Sequence, residues 1–233
     1  AGNTGLGVAF AALNQGFHVI IVVPEKISEE KQILMKALGA DIIHTKREDG
    51  MLGAAAKAQE LLSEIKDSIS LPQFKNMSNP KAHYETTGPE IYQDLDGKID
   101  YLVAGAGSGG TYSGVVKFLK EQNRNIKGIL ADPVGSTMGG GEHADYDIEG
   151  IGNDFIADTM DMSLVDKVIK INDSQAFDGA RALARHEGIL GGSSTGAAFS
   201  AALKLIYEHH VKGNIVFIAP DSGDRYFSKH LYA

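Results

Sequence analysis

The segment YLVAGAGSGGT, residues 101–111, decides the reading of this chain. Gly105, Gly107 and Gly110 fit the pattern G-x-G-x-x-G. The apolar run 99–104 before them reads as a buried strand, and 112–122 after them reads as a helix. A helix start offers amide N–H groups without intrahelical acceptors and a partial positive charge, so the loop suits an anion. Two kinds of anion fit at this level. One is a dinucleotide pyrophosphate: Asp132 follows the next strand, 126–131, 22 residues after Gly110, where a ribose-binding acid would sit. The other is a phosphate monoester. Five successive small residues, Gly107, Ser108, Gly109, Gly110 and Thr111, make a cup with two hydroxyls. The motif also lies after several βα units instead of opening the domain, and Asp132 is followed at once by Pro133. The plainest alternative is that small residues merely permit tight strand–turn–helix packing.

Working outward, the rhythm is that of a parallel α/β sheet. Helix is expected over 3–15, strand over 18–23 ending at Pro24, and helix over 31–38 with Ser28 at its N-cap and Gly39 as terminator. A short strand over 41–45, an amphipathic helix over 51–65 and a strand over 69–74 follow. After the polar stretch NMSNP (76–80), a helix over 81–95 is expected, kinked or restarted near Gly88-Pro89. Further strands are expected over 167–171 and 215–219, and helices over 174–186 and 193–210. Residues 135–147 read as a long glycine-rich loop, and a short helix follows Arg225. The expected organisation is a smaller domain over 1–79 and a larger one over 80–233.

Composition excludes several classes. With 22 basic and 30 acidic side chains the formal charge is −8, which disfavours a sequence-independent grip on nucleic acid. No apolar run approaches the roughly 18 residues needed to span a bilayer. The chain has no cysteine, so disulfides, thiolate metal sites and a cysteine nucleophile are ruled out, and a cytoplasmic setting is expected. The eight histidines and the acidic residues form no metal-ligand pattern. His209 and His210 read as surface residues at a helix end.

Two more loops resemble the central one: AGNTG (1–5) and GGSSTG (191–196). Together with QF (73–74), TTGPEI (86–91), EGIGNDFI (149–156), EGILGGSSTGAA (187–198) and PDSGDRY (220–226), they stand in an order that resembles the cysteine synthase and cystathionine β-synthase family. These enzymes use pyridoxal 5′-phosphate (PLP). The likeness is nearest to the bacterial branch that uses O-acetylserine, and it runs along nearly the whole chain. It implies a two-domain, tryptophan-synthase-β-like PLP fold, with a smaller mobile domain over 1–79 and the larger PLP-binding domain over 80–233.

The resemblance also implies roles. Gly107, Ser108, Gly109, Gly110 and Thr111 would hold the PLP phosphate, Asn3 would bond the ring hydroxyl, and Ser222 would partner the pyridine nitrogen. Asp221 competes for that last place. Ala1, Gly2 and Thr4 would grip the substrate carboxylate together with Gln73, while Gly150, with Ile151 and Gly152, would face the substrate amine. Alanine at position 1 replaces the family's more common serine, so one hydroxyl donor is missing there. Ser194 and Thr195 read mainly as helix starters. The family lysine that bonds PLP covalently lies before the AGNTG loop, so no lysine here is assigned to catalysis. The implied reaction is β-replacement on O-acetylserine or serine, giving cysteine from sulfide or cystathionine from homocysteine, in a homodimer. Two other readings are an NAD(P)-dependent oxidoreductase, from the glycine motif and Asp132, and an inert lysine-less homologue that acts as a binding partner.

Overall fold

The computed structural model describes residues 2–233. They form two compact units: the chain to Pro72 with Asp224–Leu231 and Ala233, and Gln73–Gly223 with Tyr232. Among the described residues, no helix is long and apolar enough to cross a membrane.

In the first unit, β1 (Ile20–Pro24) and β2 (Asp41–Thr45) pair in parallel, with Ile20 opposite Asp41 and Pro24 opposite Thr45. Helices α1 (Gly2–Ala11), α2 (Glu29–Ala37) and α3 (Gly50–Glu64) accompany them around a core of Leu6, Ala9, Ile21, Val23, Ile27, Met35 and Ala40. Gly5 lets α1 lie close: a β-carbon there would stand 2.7 Å from Ile21 Cγ2 and 2.9 Å from Met35 Sδ. The terminal segment packs on α2. Lys31, 1% exposed, donates to the Tyr226 hydroxyl (2.7 Å), and the Glu30 carboxylate accepts from the Ser228 N–H (2.7 Å) and hydroxyl (2.8 Å). Three expectations differ. The first helix stops at Ala11, because Asn14 and Gly16 turn the chain through left-handed φ values of 58° and 78°. Ser28 stands at the N-cap of α2 but makes no side-chain cap bond. Residues 69–74 form no strand: no neighbouring strand bonds them, and Ile69 and Leu71 are exposed.

The second unit is a four-stranded parallel sheet of β3 (Tyr101–Gly105), β4 (Lys127–Pro133), β5 (Lys167–Ile171) and β6 (Ile215–Phe217), in the order β5-β4-β3-β6. Its central strands are buried on both faces, as parallel strands flanked by helices must be. Alternation divides them between two cores. Leu102, Ala104 and Leu130 face the side of α6 (Gly110–Gln122), with Val115, Val116 and Leu119. Val103, Ile129 and Ala131 face α8 (Ser193–Tyr207), with Ala197, Ala201 and Leu205. Helix α7 (Asp173–Glu187) packs on α8 and begins with a capping box between Asn172 and Gln175. β4 lies on one side of β3 and β6 on the other, so the strand order reverses at β3. Ligands of open α/β sheets bind in the crevice outside the carboxyl ends of the strands at such a switch point.

The helix expected over 81–95 is two, α4 (Ser78–Glu85) and α5 (Thr87–Asp94), broken at Thr86 with φ −123° and ψ −72°. Glycines on α6 bring α4 close: a β-carbon at Gly110 would strike the Asn79 side chain, and one at Gly114 would strike the Pro80 carbonyl and stand 2.8 Å from His83 Cβ. Alanine at Gly114 gains about 1 kcal/mol in helix propensity. Its methyl group meets backbone that cannot swing away, and such overpacking costs about 1–3 kcal/mol. The expected net result for Gly114→Ala is a lower urea midpoint, a loss of about 1 kcal/mol.

Candidate active site

The loop between β3 and α6 is tied down from behind. Asn153 Nδ2 donates to the Gly107 carbonyl (2.5 Å), and the Thr159 hydroxyl donates to the Ser108 carbonyl (2.6 Å). Gly109 takes the left-handed φ of 82°, which turns the chain into the helix. The first helical bond runs from the Ser113 N–H to the Gly109 carbonyl (2.8 Å). The N–H groups of Gly107 through Tyr112 therefore have no acceptor among the described residues. Two hydroxyls flank them. Asn79 Nδ2 donates to Ser108 Oγ (2.9 Å), and Thr111 Oγ1 lies 3.1 Å from His83 Nε2. The side chains bonded to the loop are amides, hydroxyls and one imidazole. None is a carboxylate, so a phosphate dianion meets donors only, and the site fits the phosphate end of PLP.

The EGIG loop packs under this cup. The Gly152 N–H donates to the Ala106 carbonyl (2.8 Å), and a β-carbon at Gly107 would strike the Gly150 carbonyl. Gly150 is exposed with φ 91°, and nothing occupies the space its β-carbon would take. Gln73 is anchored to the same region through its backbone: its carbonyl accepts from Asn79 Nδ2 (3.0 Å) and lies 3.4 Å from the Thr159 hydroxyl, whose proton goes to Ser108. The cup, Gly150 and Gln73 thus belong to one bonded neighbourhood.

Ser222 is exposed on an antiparallel bridge with Gly191. The bridge is a clamp: the Gly223 N–H donates to the Leu190 carbonyl (2.9 Å), and the Gly192 N–H to the Asp221 carbonyl (3.2 Å). The Tyr232 hydroxyl adds a bond to the Gly191 carbonyl (2.6 Å). Ser194 and Thr195 are buried in the first turn of α8 beside this clamp. Asn3 and Thr4 are exposed in the first turn of α1, in the first unit, with Gly2 buried beside them. Ala1 lies outside the described residues.

Asp132 is placed otherwise than a ribose-binding acid. It is 1% exposed, and its Oδ2 accepts from Lys170 Nζ (2.5 Å) and from the Gly139 N–H (3.0 Å). Lys170 also donates to the Ser136 carbonyl (2.6 Å), so the pair fixes the start of the glycine-rich loop. The acid that favoured a dinucleotide is engaged in folding.

The switch-point crevice and the donor-only cup define a phosphate-binding α/β protein, and residues 1–221 match the family model described as pyridoxal-phosphate dependent enzyme. The chain belongs to that family, and it has the two-unit α/β fold of its members. It is similar to the O-acetylserine dependent cystathionine beta-synthase of Bacillus subtilis (strain 168), 50% identical over 232 residues, covering 100% of this chain and 76% of the relative. It is 44% identical over 233 residues to a cysteine synthase of Helicobacter pylori (strain J99), with the same coverage of 100% and 76%. The crystal structure of the O-acetylserine dependent cystathionine beta-synthase from Helicobacter pylori superposes with a TM-score of 0.94 at 43% identity, covering 100% of this chain and 76% of that one.

Four residues around the cup escaped the sequence reading: Asn79, His83, Asn153 and Thr159. The spacing of Asn79 and His83, one helical turn apart, was a usable signal once a helix was drawn through them. Nothing local marks Thr159. For the buried pair, Lys170→Met leaves the Asp132 carboxylate without its counter-ion. The expected loss is about 3 kcal/mol, read from the urea midpoint, and Asp132→Asn in the same chain should restore part of it.

Proposed function

We propose that this chain carries the cofactor and substrate contacts of an enzyme that replaces the acetoxy group of O-acetylserine with a sulfur nucleophile. Sulfide as nucleophile gives cysteine, and homocysteine gives cystathionine. The observation that carries the reading is the cup at 107–111, whose amides lack acceptors among the described residues while the Gly107 and Ser108 carbonyls are tied back, in a chain 50% identical to a relative named for chemistry on O-acetylserine. Bound PLP supplies an electron sink that acidifies the substrate α-carbon and lets the β-substituent depart.

The chain's own residues would bind and orient. The amides of Gly107, Ser108, Gly109, Gly110 and Thr111, with the two hydroxyls, hold the phosphate. The Asn3 amide bonds the ring hydroxyl and sets the angle of the ring. Ser222 would offer the ring nitrogen a neutral hydroxyl, where a carboxylate would hold it protonated, which would suit β-replacement better than transamination. Thr4 donates to the substrate carboxylate, supported by the amides at positions 1 and 2 and by the Gln73 side chain. Gly150 leaves room for the substrate amine. Residues 1–79 would act as the mobile domain and 80–233 as the PLP-binding part, with closure of the former keeping water from the reacting carbon. The working enzyme is a cytoplasmic homodimer.

The full-length enzyme tests this directly. With PLP it should be coloured, and O-acetylserine should change the visible spectrum before any nucleophile is added. A colourless protein that stays so with added PLP overturns the reading. Thr4→Ala should raise the KM for O-acetylserine about tenfold, the loss of one hydrogen bond to a charged group, while affinity for PLP stays at the parent value. An unchanged KM removes Thr4 from the carboxylate site.

A further inference from the structure

Asn79 and His83 sit one turn apart on α4, and each meets a different hydroxyl of the cup, Asn79 at Ser108 and His83 at Thr111. Gly110 and Gly114 of α6 permit the approach. The direction of each bond can be worked out. Asn79 Nδ2 lies 3.0 Å from the Gln73 carbonyl, which only accepts, so this atom is the amide nitrogen. Its second hydrogen goes to Ser108 Oγ, and the Ser108 proton is left to point elsewhere. His83 has Thr87 Oγ1 at 3.0 Å from Nδ1 and Thr111 Oγ1 at 3.1 Å from Nε2. Burial pushes its imidazole below the usual histidine range, which favours the neutral ring with one donor and one acceptor. A phosphate dianion only accepts. Thr111 can donate to it only if its oxygen accepts from Nε2–H, which makes Nδ1 the acceptor of the Thr87 proton.

We infer that α4 sets the polarity of the phosphate cup: Asn79 and His83 are positioning residues that donate to Ser108 and Thr111, so that both hydroxyl protons face the ligand. The chain of donation runs from Thr87 to His83 to Thr111 to phosphate. The inference rests on the reading of 107–111 as the phosphate site.

The test uses the full-length holoenzyme, with two readouts: the PLP dissociation constant after resolution and reconstitution, and the ³¹P resonance of the bound phosphate. His83→Gln places an amide N–H near the Nε2 position. His83→Asn reaches only the Nδ1 position and loses the donor to Thr111. The expected result is PLP binding about tenfold weaker for His83→Asn, with a moved ³¹P line, and within about threefold of the parent for His83→Gln. Thr111→Val should weaken binding by a similar factor, and adding His83→Asn to it should cost nothing more. Equal effects of the Gln and Asn variants, or additive effects of His83→Asn and Thr111→Val, overturn the inference. If His83→Asn does not fold, Thr87→Val, which lies outside the cup on α5, should weaken PLP binding in the same direction; an unchanged constant there overturns the chain of donation. An unchanged constant in Thr111→Val overturns the phosphate site itself.

Discussion

The packing of the second unit depends on one constraint: from Gly105 to Gly110 the backbone must touch three other segments within six residues. A β-carbon at Gly105 would meet Ile151, at Gly107 the Gly150 carbonyl, at Gly109 the Met160 side chain and at Gly110 the side chain of Asn79. Each glycine therefore admits a different neighbour. The EGIG loop, the segment around Met160 and helix α4 can converge on the loop only because no side chains stand between. The packing account of the glycines and the proposed ligand account are compatible, because they concern different atoms. The α-carbons are bare because of the neighbours behind them. The amides of Gly107 through Tyr112 are left without acceptors among the described residues.

Much of this was legible in the sequence, and the reasons are specific. The strands at 101–105, 127–133 and 167–171 each carry a short apolar run, Leu102–Ala104, Ile129–Ala131 and Val168–Ile169, so they stand out. The capping box of α7 and the left-handed glycine at 109 are local signals in the same sense. Residues 69–74 misled because an apolar run carries no record of whether a neighbouring strand exists. Asp132 misled for a related reason: its position after β4 is correct for a ribose, and only the packing of Lys170 against it reveals another employment. Asn79 and His83 offered only their one-turn spacing, Asn153 only its place in EGIGNDFI, and Thr159 nothing local. Each bonds a loop that is remote in sequence, and their immediate neighbours do not encode that partner.

The first unit relies on fewer and smaller contacts. Its sheet has two strands among the described residues, and its core is seven side chains with one glycine contact between α1, β1 and α2. The terminal segment contributes polar anchors in return. A lysine held against a tyrosine ring and hydroxyl, and a carboxylate bound by a serine through both N–H and O–H, fix its path, while Tyr226 and Leu231 are fully buried.

The buried pair of Asp132 and Lys170 bears on redesign of the cofactor class. A protein engineer who saw the glycine motif and the downstream acid would regard this chain as one step from a nicotinamide enzyme. The pair makes that step uphill. Turning Asp132 outward to a ribose would leave the Lys170 ammonium among the carbonyls of Pro133 and Ser136 with no negative partner, and would release the loop that Gly139 anchors. A motif can thus be complete on paper while its decisive residue is committed elsewhere, and the choice of cofactor is protected by folding stability as well as by the shape of the pocket.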